Sequence, residues 1–447
     1  MKKNYLFPVV AAAVIAAVFF LWPQARHSAE PFAPLLQRQG PISSTSEWLN
    51  TKAAIEGLQT SIRQKPGDLQ SKLLLAFAYM QEARITGQHP YYYPAALKLV
   101  NDILEERPDN AVLRFEATVA KASIQLSLHQ FSKALHTAHE AVALNARSAA
   151  VYGVLCDAYV ELGNYPQAIK MADQMVALRP DLKSYSRISY LREIHGDLAG
   201  AISAMEMAAA AGFPGLEQSA WARITLGSLY EKTGDLKKAE LQYRRALGEY
   251  PNYAFALAGL GRLAAKRNNP AEALRFHQQA AEILPEFTFQ EALIRLYQQQ
   301  GEKGKASRTM KDLLAGMEED QEAGHVVDLE LANIYLELSQ DYKKAYQFAR
   351  KEYKRRPDNI DVCRTMAHIS YNRQDYKQAA GYINKATRTN SQDPALLCLS
   401  GLIYYKSGEQ ALGEQLIRRS WAIDPFQDNP LSLEGKSVLS RSVSLRR

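Results

Sequence analysis

The stretch at residues 220–253, AWARITLGSLYEKTGDLKKAELQYRRALGEYPNY, contains two helical patterns on either side of a turn at 233–235. In the first pattern, apolar and small residues recur at three- and four-residue steps, as Leu226 and Tyr230 do. Residues at this spacing share one helical face. The second pattern has the same periodicity and ends at Pro251, which cannot continue a helix. The stretch therefore predicts a helical hairpin.

Two small residues, Gly227 and Ala239, lie on the apolar faces of this predicted hairpin. Two helices cross closely only where a side chain is nearly absent, so these positions favour tight pairing. A hairpin this short cannot bury both of its faces alone. We therefore expect similar hairpins packed on each side of it.

Similar hairpins do recur along the chain at nearly regular intervals. The small residue of the second helix recurs as Ala54, Ala96, Ala134, Ala168, Ala201, Ala239, Ala273, Ala306, Ala345, Ala379 and Gly413. A proline follows at a fixed distance in seven of these eleven units, at Pro66, Pro108, Pro180, Pro251, Pro285, Pro357 and Pro425. An alanine-rich chain gives some alanine periodicity by accident, but it does not hold proline in the same phase.

The repeat resembles the tetratricopeptide repeat family, whose period is about 34 residues. The turn glycines that carry the resemblance are Gly163, Gly196, Gly234, Gly301 and Gly408, and the aromatics one turn before them are Tyr159, Tyr230, Tyr297 and Tyr404. The resemblance covers residues 47–427. It implies an all-α, right-handed superhelical solenoid of about ten helix-turn-helix repeats. It also implies a concave groove lined by the first helices, and no chemistry.

The composition fits close helix packing and gives no sign of a nucleic-acid partner. Hydrophobic residues make up 47% of the chain, with alanine prominent among them, which suits helices better than a β core. The net charge of +7 is a small difference between 54 basic and 47 acidic residues, and these are interspersed on helix faces. Nucleic-acid binding needs clustered positive charge, so we expect none.

Residues 1–27 have the pattern of a membrane anchor. Two lysines precede about eighteen mostly apolar residues, Tyr5 to Trp22, which is long enough to span a bilayer. We expect a single transmembrane helix with its N-terminus in the cytoplasm and the repeats on the periplasmic side. A signal peptide cleaved on export is the alternative. Residues 28–46 are expected to form a linker, and residues 428–447 a frayed C-terminal tail.

The first repeat contains an insertion of about eight residues at 85–94. Tyr91, Tyr92 and Tyr93 stand there between Pro90 and Pro94, and the prolines predict a loop rather than a helix. Two interpretations remain open at this stage. The loop folds back over the first helix pair, or its aromatic side chains face solvent and recognise a ligand.

The sequence indicates no enzyme, metal or cofactor. His129, His136 and His139 are near one another, but no third ligand has diagnostic spacing. Gly259 and Gly261 resemble part of a phosphate loop, yet no strand precedes them and close helix packing asks for the same spacing. No nucleophile elbow, zinc-protease motif or paired-cysteine motif occurs.

Cys156, Cys363 and Cys398 fall on apolar or inner stripes of first helices and are expected to be buried thiols. Cys363 and Cys398 occupy near-equivalent places in adjacent repeats, which leaves a disulfide between them open.

The inner face of the first helices is the predicted binding surface. Aromatic and arginine side chains carry most of the energy at protein interfaces. The candidates projected from the repeat register are Phe77, Phe115, Tyr190, Trp221, Phe255, Arg262, Lys266, Arg295, Arg364, His368, Tyr371, Tyr405 and Lys406. The basic residues among them favour an acidic or carboxylate-ended peptide.

The sequence therefore predicts a membrane-anchored interaction scaffold whose repeats bind a protein or peptide outside the cytoplasm. Two alternatives are an envelope assembly factor, similar in layout to cytochrome c maturation subunits, and an export protein that binds a polymer through Tyr91, Tyr92 and Tyr93.

Overall fold

The computed structural model describes residues 32–445, and this part of the chain contains 22 α-helices and a short 3₁₀ turn at Gly40–Ser44. The helices of the N-terminal half are α1 (Ser46–Gln64), α2 (Leu69–Thr86), α3 (His89–Glu105), α4 (Ala111–Ser127), α5 (Phe131–Leu144), α6 (Ala149–Glu161), α7 (Tyr165–Leu178), α8 (Leu182–Ile194), α9 (Leu198–Ala210), α10 (Glu217–Lys232) and α11 (Leu236–Glu249). Those of the C-terminal half are α12 (Ala254–Lys266), α13 (Pro270–Ile283), α14 (Phe287–Gln299), α15 (Lys303–Glu322), α16 (Asp328–Glu337), α17 (Tyr342–Arg355), α18 (Ile360–Asn372), α19 (Tyr376–Ala386), α20 (Pro394–Lys406), α21 (Gln410–Ile423) and α22 (Pro430–Leu445).

Helices α2 to α21 pair into ten consecutive hairpins, which we number 1 to 10 from α2–α3 to α20–α21. Each helix packs against its hairpin partner and the neighbouring hairpins, and the apolar clusters follow one another along the array. This confirms the predicted all-α solenoid. With α1 and α22 at its two ends, the array is longer than the predicted ten repeats.

The small residues act as the hairpin pattern predicts. The Tyr243 ring of α11 is fully buried between Gly227 of α10 and Gly259 of α12. A Cβ atom added at Gly227 or Gly259 would lie 2.5 or 2.8 Å from that ring, closer than any van der Waals contact allows. Gly259 therefore serves helix packing, since its missing side chain makes room for a tyrosine.

The segment 32–39 is not a free linker, in contrast to the prediction. Phe32 is buried against the first hairpin, and the Ala33 carbonyl accepts a hydrogen bond from the Tyr79 hydroxyl. The Arg38 guanidinium binds the fully buried Glu82 carboxylate, with Nε to Oε2 at 3.0 Å. Proline-rich composition suggested a spacer, but these long-range contacts fix the segment as a cover over α1–α3.

The prediction that 85–94 forms a loop is also wrong, because α3 begins at His89 and runs through both prolines. Pro90 stands in the first turn, where a backbone N–H has no helical partner in any case. Pro94 removes one hydrogen bond close to the start of the helix. Two prolines near a helix N-terminus are thus compatible with the helix.

Two of the three tyrosines do not face solvent. Tyr92 and Tyr93 are buried in the first apolar cluster, so only the interpretation that they cover the hairpin fits the structure. The Tyr91 hydroxyl donates to the Pro34 carbonyl at 2.6 Å, and the Leu36 N–H donates to the Tyr92 hydroxyl at 3.2 Å. The hydroxyls of Tyr91 and Tyr92 fasten the 32–39 segment.

The C-terminal residues to 445 form α22 and are not a frayed tail. Val438 is buried in the last apolar cluster, together with residues of α18 to α21. The Tyr371 hydroxyl donates to the Glu434 carboxylate at 2.7 Å. α22 therefore closes the end of the array, as a terminal repeat of a solenoid must.

The predicted transmembrane helix at 1–27 lies outside the described residues. Between residues 32 and 445, no helix combines the length and the apolar character that crossing a bilayer requires.

The ten hairpins wind so that one superhelical turn stacks directly on the next. The turn of each of hairpins 1 to 5 meets the linker that follows the hairpin five places further on, at a nearly constant separation in the sequence. The five contacts join Gly87 to Leu284, Leu128 to Val326, Gly163 to Asp358, Gly196 to Asn390, and Gly234 to Pro425. We call this row of contacts the seam, and its regular register means that between five and six hairpins complete one superhelical turn.

Hydrogen bonds and ion pairs close the seam. The Val326 N–H donates to the Leu128 carbonyl at 3.1 Å, and the Asn359 side chain donates to the Glu161 carbonyl at 3.0 Å. The Lys232 ammonium lies 2.9 Å from Asp393. The predicted groove is consequently enclosed between two superhelical turns.

Candidate functional site

A cavity with a volume of about 580 Å³ lies between the two superhelical turns. One wall comes from hairpins 2 and 3 and the other from hairpins 8 and 9. We call it the inter-turn cavity, and its lining residues are Leu126, Ser127, His129, Phe131, Asp157, Glu161, Leu329, Glu330, Asn333, Glu337, Arg356, Asp361, Arg364, Thr365 and His368. Its size is that of an ordinary ligand pocket.

Helix geometry positions the polar side chains of the cavity. Asp157 and Glu161 are one helical turn apart on α6, as Arg364 and His368 are on α18. Residues at this spacing share a helical face. The inner faces of α4, α6, α16 and α18 therefore supply most of the lining, as expected for first helices.

Five carboxylates line the cavity against two arginines. Three of them have a cationic partner: Asp157 binds Arg187, Glu161 binds Arg356, and Glu337 binds Arg295. Glu330 lies 3.6 Å from the His129 ring, and its Oε2 atom is shielded from solvent with no hydrogen-bond donor in the described part of the chain. Within the same range, the Asp361 carboxylate has no ion pair.

Burial shapes the protonation of these groups. Desolvation in the first place, followed by the charges of Asp361 and Asp157, raises the pKa of Glu161 to about 7 despite the Arg356 guanidinium. Burial also raises the pKa of Glu330. For His129, burial and then the adjacent His325 lower the pKa to about 3, so the imidazole is neutral. The cavity thus combines a neutral histidine with two carboxyl groups, Glu161 and Glu330, whose pKa values are raised by burial.

Two of the predicted groove residues, Arg364 and His368, line the inter-turn cavity. Burial, and then the charge of Arg364, keep the pKa of His368 at about 4 even though Glu337 opposes this. Phe77, Tyr190 and Trp221 stay partly exposed, and Lys406 is exposed.

The remaining predicted groove residues are engaged within the fold. Phe115 is buried, Phe255 packs against Phe289, and Tyr405 belongs to the last apolar cluster. Tyr371 is buried with its hydroxyl on Glu434.

The predicted basic stripe is largely neutralised by ion pairs. Arg262 binds Glu231 at 3.1 Å and the Tyr243 hydroxyl at 3.0 Å. Lys266 pairs with Asp424 at 2.7 Å across the superhelical turns. Arg295 pairs with Glu337 at 2.6 Å. The expected surface for an acidic peptide is therefore weaker than the sequence suggested.

The acidic residues of the cavity were missed at the sequence level. Glu161 comes from hairpin 3, whereas Glu330 and Asp361 come from the consecutive hairpins 8 and 9, and the two groups meet only across the seam. The sequence does show that charged residues lie on the first helices. Predicting which of them meet in space would also require the number of hairpins in one superhelical turn.

The cysteine and histidine clusters contribute no further site. All three cysteines are buried free thiols, so the disulfide left open between Cys363 and Cys398 is absent. His129 lies in the seam, whereas His136 and His139 are part of helix α5, outside the seam. In residues 32–445 no group of three or more His, Cys, Asp or Glu side chains could hold a metal ion.

A solenoid of helical hairpins with a polar cavity between its turns has the architecture of the helical-repeat class. Two family models for the tetratricopeptide repeat match this chain, at residues 125–192 and 224–286. These stretches include hairpins 3 and 6 completely, and the hairpins around them have the same arrangement. Tetratricopeptide repeat proteins are generally protein-interaction scaffolds.

This chain is similar to several solved structures, and the length of the match differs among them. A tetratricopeptide repeat protein of Thermus thermophilus is 26% identical over 44% of this chain and 97% of its own, with a TM-score of 0.37. The type IV pilus biogenesis factor PilW is 16% identical over 46% of this chain and 96% of its own, with a TM-score of 0.38. Human IFIT1 is 14% identical over 84% of this chain and 88% of its own, with a TM-score of 0.43. No curated protein matches this chain.

Proposed function

We propose that this protein is a non-enzymatic scaffold that binds an extended segment of a partner protein in the inter-turn cavity. The observation that carries the proposal is that two superhelical turns jointly enclose about 580 Å³ of space lined by polar side chains. Rigid stacked helices hold these side chains in place before binding, which lowers the ordering cost of association.

A photo-crosslinking amino acid at position 329, inside the cavity, tests the proposal. The control is the same amino acid at Leu178, which is exposed on the second helix of hairpin 3. A protein captured at 329 is then purified and titrated against the wild-type chain and the Thr365→Trp variant, which fills the cavity. We expect capture at 329 alone and a loss of at least tenfold in affinity for the variant. Equal capture at both positions, or unchanged affinity, would refute the proposal.

We also propose that residues 1–27 tether the repeats to a membrane, with the repeats on its outer side. Lys2 and Lys3, followed by about eighteen mostly apolar residues, support this topology. Alkaline-phosphatase and fluorescent-protein fusions after residue 30 test it. Active phosphatase is expected, and a silent phosphatase with a bright cytoplasmic signal would contradict the topology.

The alternatives do not gain support from specific residues. Polymer binding depended on exposed side chains of Tyr91, Tyr92 and Tyr93, and both Tyr92 and Tyr93 are buried. The role of an envelope assembly factor stays a prediction.

A further inference from the structure

We propose that the exposed face of helices α17 and α19 binds the phosphate groups of an anionic phospholipid surface. This face is separate from the inter-turn cavity. The inference rests in part on the proposed membrane tether, which would hold the chain beside such a surface.

The net charge of the chain is concentrated in one stretch. Residues 342–388 contain twelve lysine and arginine residues and four aspartate and glutamate residues. This excess of positive charge is larger than the net charge of +7 of the whole chain, so the rest of the chain is close to neutral. The stretch includes α17 and α19, the second helices of hairpins 8 and 9.

Most of the cations on these two helices are exposed and unpaired. Glu352, the one acidic residue of α17, is buried and binds Arg355 and Arg356, and α19 contains no acidic residue. Seven exposed cations have no ion pair with any residue between 32 and 445, and we call them the basic surface. They are Lys343, Lys344, Arg350, Lys354, Arg373, Lys377 and Lys385. By contrast, ion pairs neutralise most of the basic residues predicted for the groove.

Helix periodicity brings the cations of α17 together. Lys343, Arg350 and Lys354 follow one another at seven- and four-residue steps, so they share one helical face. Tyr346 and Tyr353 lie one helical turn before and one turn after Arg350. The face therefore alternates cations with partly buried tyrosines.

Contacts between neighbouring hairpins join α19 to this face. The Lys385 ammonium donates to the Tyr353 hydroxyl at 2.8 Å, and the rings of Tyr353 and Tyr382 meet edge to face with centroids 5.2 Å apart. Arg373, at the end of α18, lies 4.7 Å from the centre of the Tyr346 ring. Cations from two hairpins thus flank one row of tyrosines.

The tyrosine contacts favour lipid over nucleic acid as the partner. Single-stranded nucleic acids stack their bases on aromatic rings. In the basic surface, Arg373 lies over Tyr346 and Lys385 over Tyr353, which leaves less of these rings open to bases. Phosphate groups without bases are the better complement, and an anionic bilayer presents them as a dense layer. Tyrosine is also enriched at the level of lipid headgroups.

Several weak attractions add up at such a surface. Each lysine or arginine near an anionic bilayer contributes favourable free energy, which salt screens. A chain tethered to the same bilayer needs only weak affinity, because the tether raises the effective concentration of the lipid.

A fluorescent reporter on α17 tests the inference. Gln347 is exposed between Lys343 and Arg350, and the three native thiols are buried, so Gln347→Cys in the full chain takes an environment-sensitive fluorophore selectively. The labelled chain is added to vesicles of phosphatidylcholine, with or without phosphatidylglycerol. We expect a blue shift of the emission only with phosphatidylglycerol, and added salt should reverse the shift.

Two triple variants with the same loss of charge are compared in this assay. The surface variant combines Lys343→Gln, Arg350→Gln and Lys354→Gln. The control variant combines Lys98→Gln, Lys170→Gln and Arg245→Gln, at exposed positions on α3, α7 and α11. The equilibrium constant for docking, read from the emission, should fall by about tenfold or more in the surface variant. In the control variant it should change by less than about twofold.

Flotation of the vesicles measures the tether separately. A chain that floats with phosphatidylcholine vesicles but shows no shift with phosphatidylglycerol would support the tether and overturn the basic surface. Flotation with the anionic vesicles alone, together with the shift, would support the basic surface without the tether. Equal responses of the two triple variants would overturn the inference. So would a shift produced by single-stranded DNA or by polyglutamate but not by the anionic vesicles.

Discussion

Single residues without a side chain make both the hairpins and the seam possible. Gly163 has φ +79°, a conformation that favours glycine, and a Cβ atom there would lie 2.1 Å from the Asp358 carbonyl oxygen on the next superhelical turn. Gly301 has a similar φ of +75° but open space around it. The turn glycines were recognisable from the sequence, whereas the second reason for Gly163 depends on a contact with a distant part of the chain.

The Gly163→Ala variant should be destabilised more than the matched Gly301→Ala variant. Both lose about 1 kcal/mol because alanine is strained at positive φ. Gly163→Ala should lose a further 1–3 kcal/mol, roughly, because the seam must move apart. Urea denaturation compares the two, and hydrogen exchange should rise at the start of α18 only in Gly163→Ala. Equal losses would show that the turns are not in contact there.

Arg38 is a second residue whose importance the sequence did not show. It is buried, and it binds the fully buried Glu82 and the more exposed Glu47. Removing one partner of a buried ion pair leaves an uncompensated charge.

We therefore expect Arg38→Ala to lower the free energy of unfolding by about 3–5 kcal/mol. The exposed pair of Lys52 and Glu56 provides the control. Lys52→Ala should change the free energy of unfolding by less than about 0.5 kcal/mol. Thermal and urea unfolding measure both. A small effect of Arg38→Ala would mean that the 32–39 segment is not docked on the first hairpin.

At the scale of helices, the repeat register predicted the interior of the array and failed at its ends. Hairpins 3 to 10 follow the periodic small and apolar residues closely. The segment 32–39, the start of α3 and the helix α22 have no repeat pattern. Their structure comes from covering the exposed apolar faces of the first and last hairpins, which is a tertiary requirement.

Helix α22 shields Cys398 of α20, whose Sγ atom faces the Leu431 carbonyl at 3.5 Å. Burial also raises the pKa of this thiol, so the reactive thiolate is scarce. Deleting residues 430–447 should make Cys398 react with a maleimide many times faster. Cys156, buried in hairpin 3, is the internal control and should stay protected. Unchanged labelling of Cys398 would contradict the packing of α22.

At the scale of the whole molecule, the seam turns an open solenoid into an enclosed one. Its register follows from the rotation per hairpin, which no single repeat encodes. This is why the family resemblance implied a groove lined by first helices, whereas the cavity between two superhelical turns could not be predicted.

Protonation of His129 should destabilise the seam at acidic pH. The pKa of His129 is about 3 in the folded chain because of burial and His325, with Arg356 adding to this, whereas Val326 and Asp320 oppose it. A histidine in an unfolded chain has a pKa of about 6.5. The unfolded chain therefore binds the proton at a higher pH than the folded chain does, and the free energy of unfolding falls as the pH drops below about 6.5.

The His129→Asn variant isolates this contribution, since asparagine tolerates the φ of +55° and does not titrate. Between pH 7 and pH 5 the free energy of unfolding should fall further in the wild type than in the variant. Glu330, which also faces this ring, has a pKa raised by burial and acts in the opposite direction in both proteins. Parallel pH profiles would rule out His129 as the acid-sensitive group.

Stacking of the two superhelical turns places two carboxylates beside Lys232, one from each turn. Its ammonium contacts Glu193 on the adjacent hairpin and lies 2.9 Å from Asp393, which is distant in the sequence and lies across the seam. Zero-length carbodiimide cross-linking of the dilute wild-type chain, followed by mass spectrometry, reads both contacts, with Glu193 as the internal control. We predict cross-links from Lys232 to both carboxylates within one chain. Recovery of the Glu193 cross-link without the Asp393 cross-link would contradict the closed superhelix.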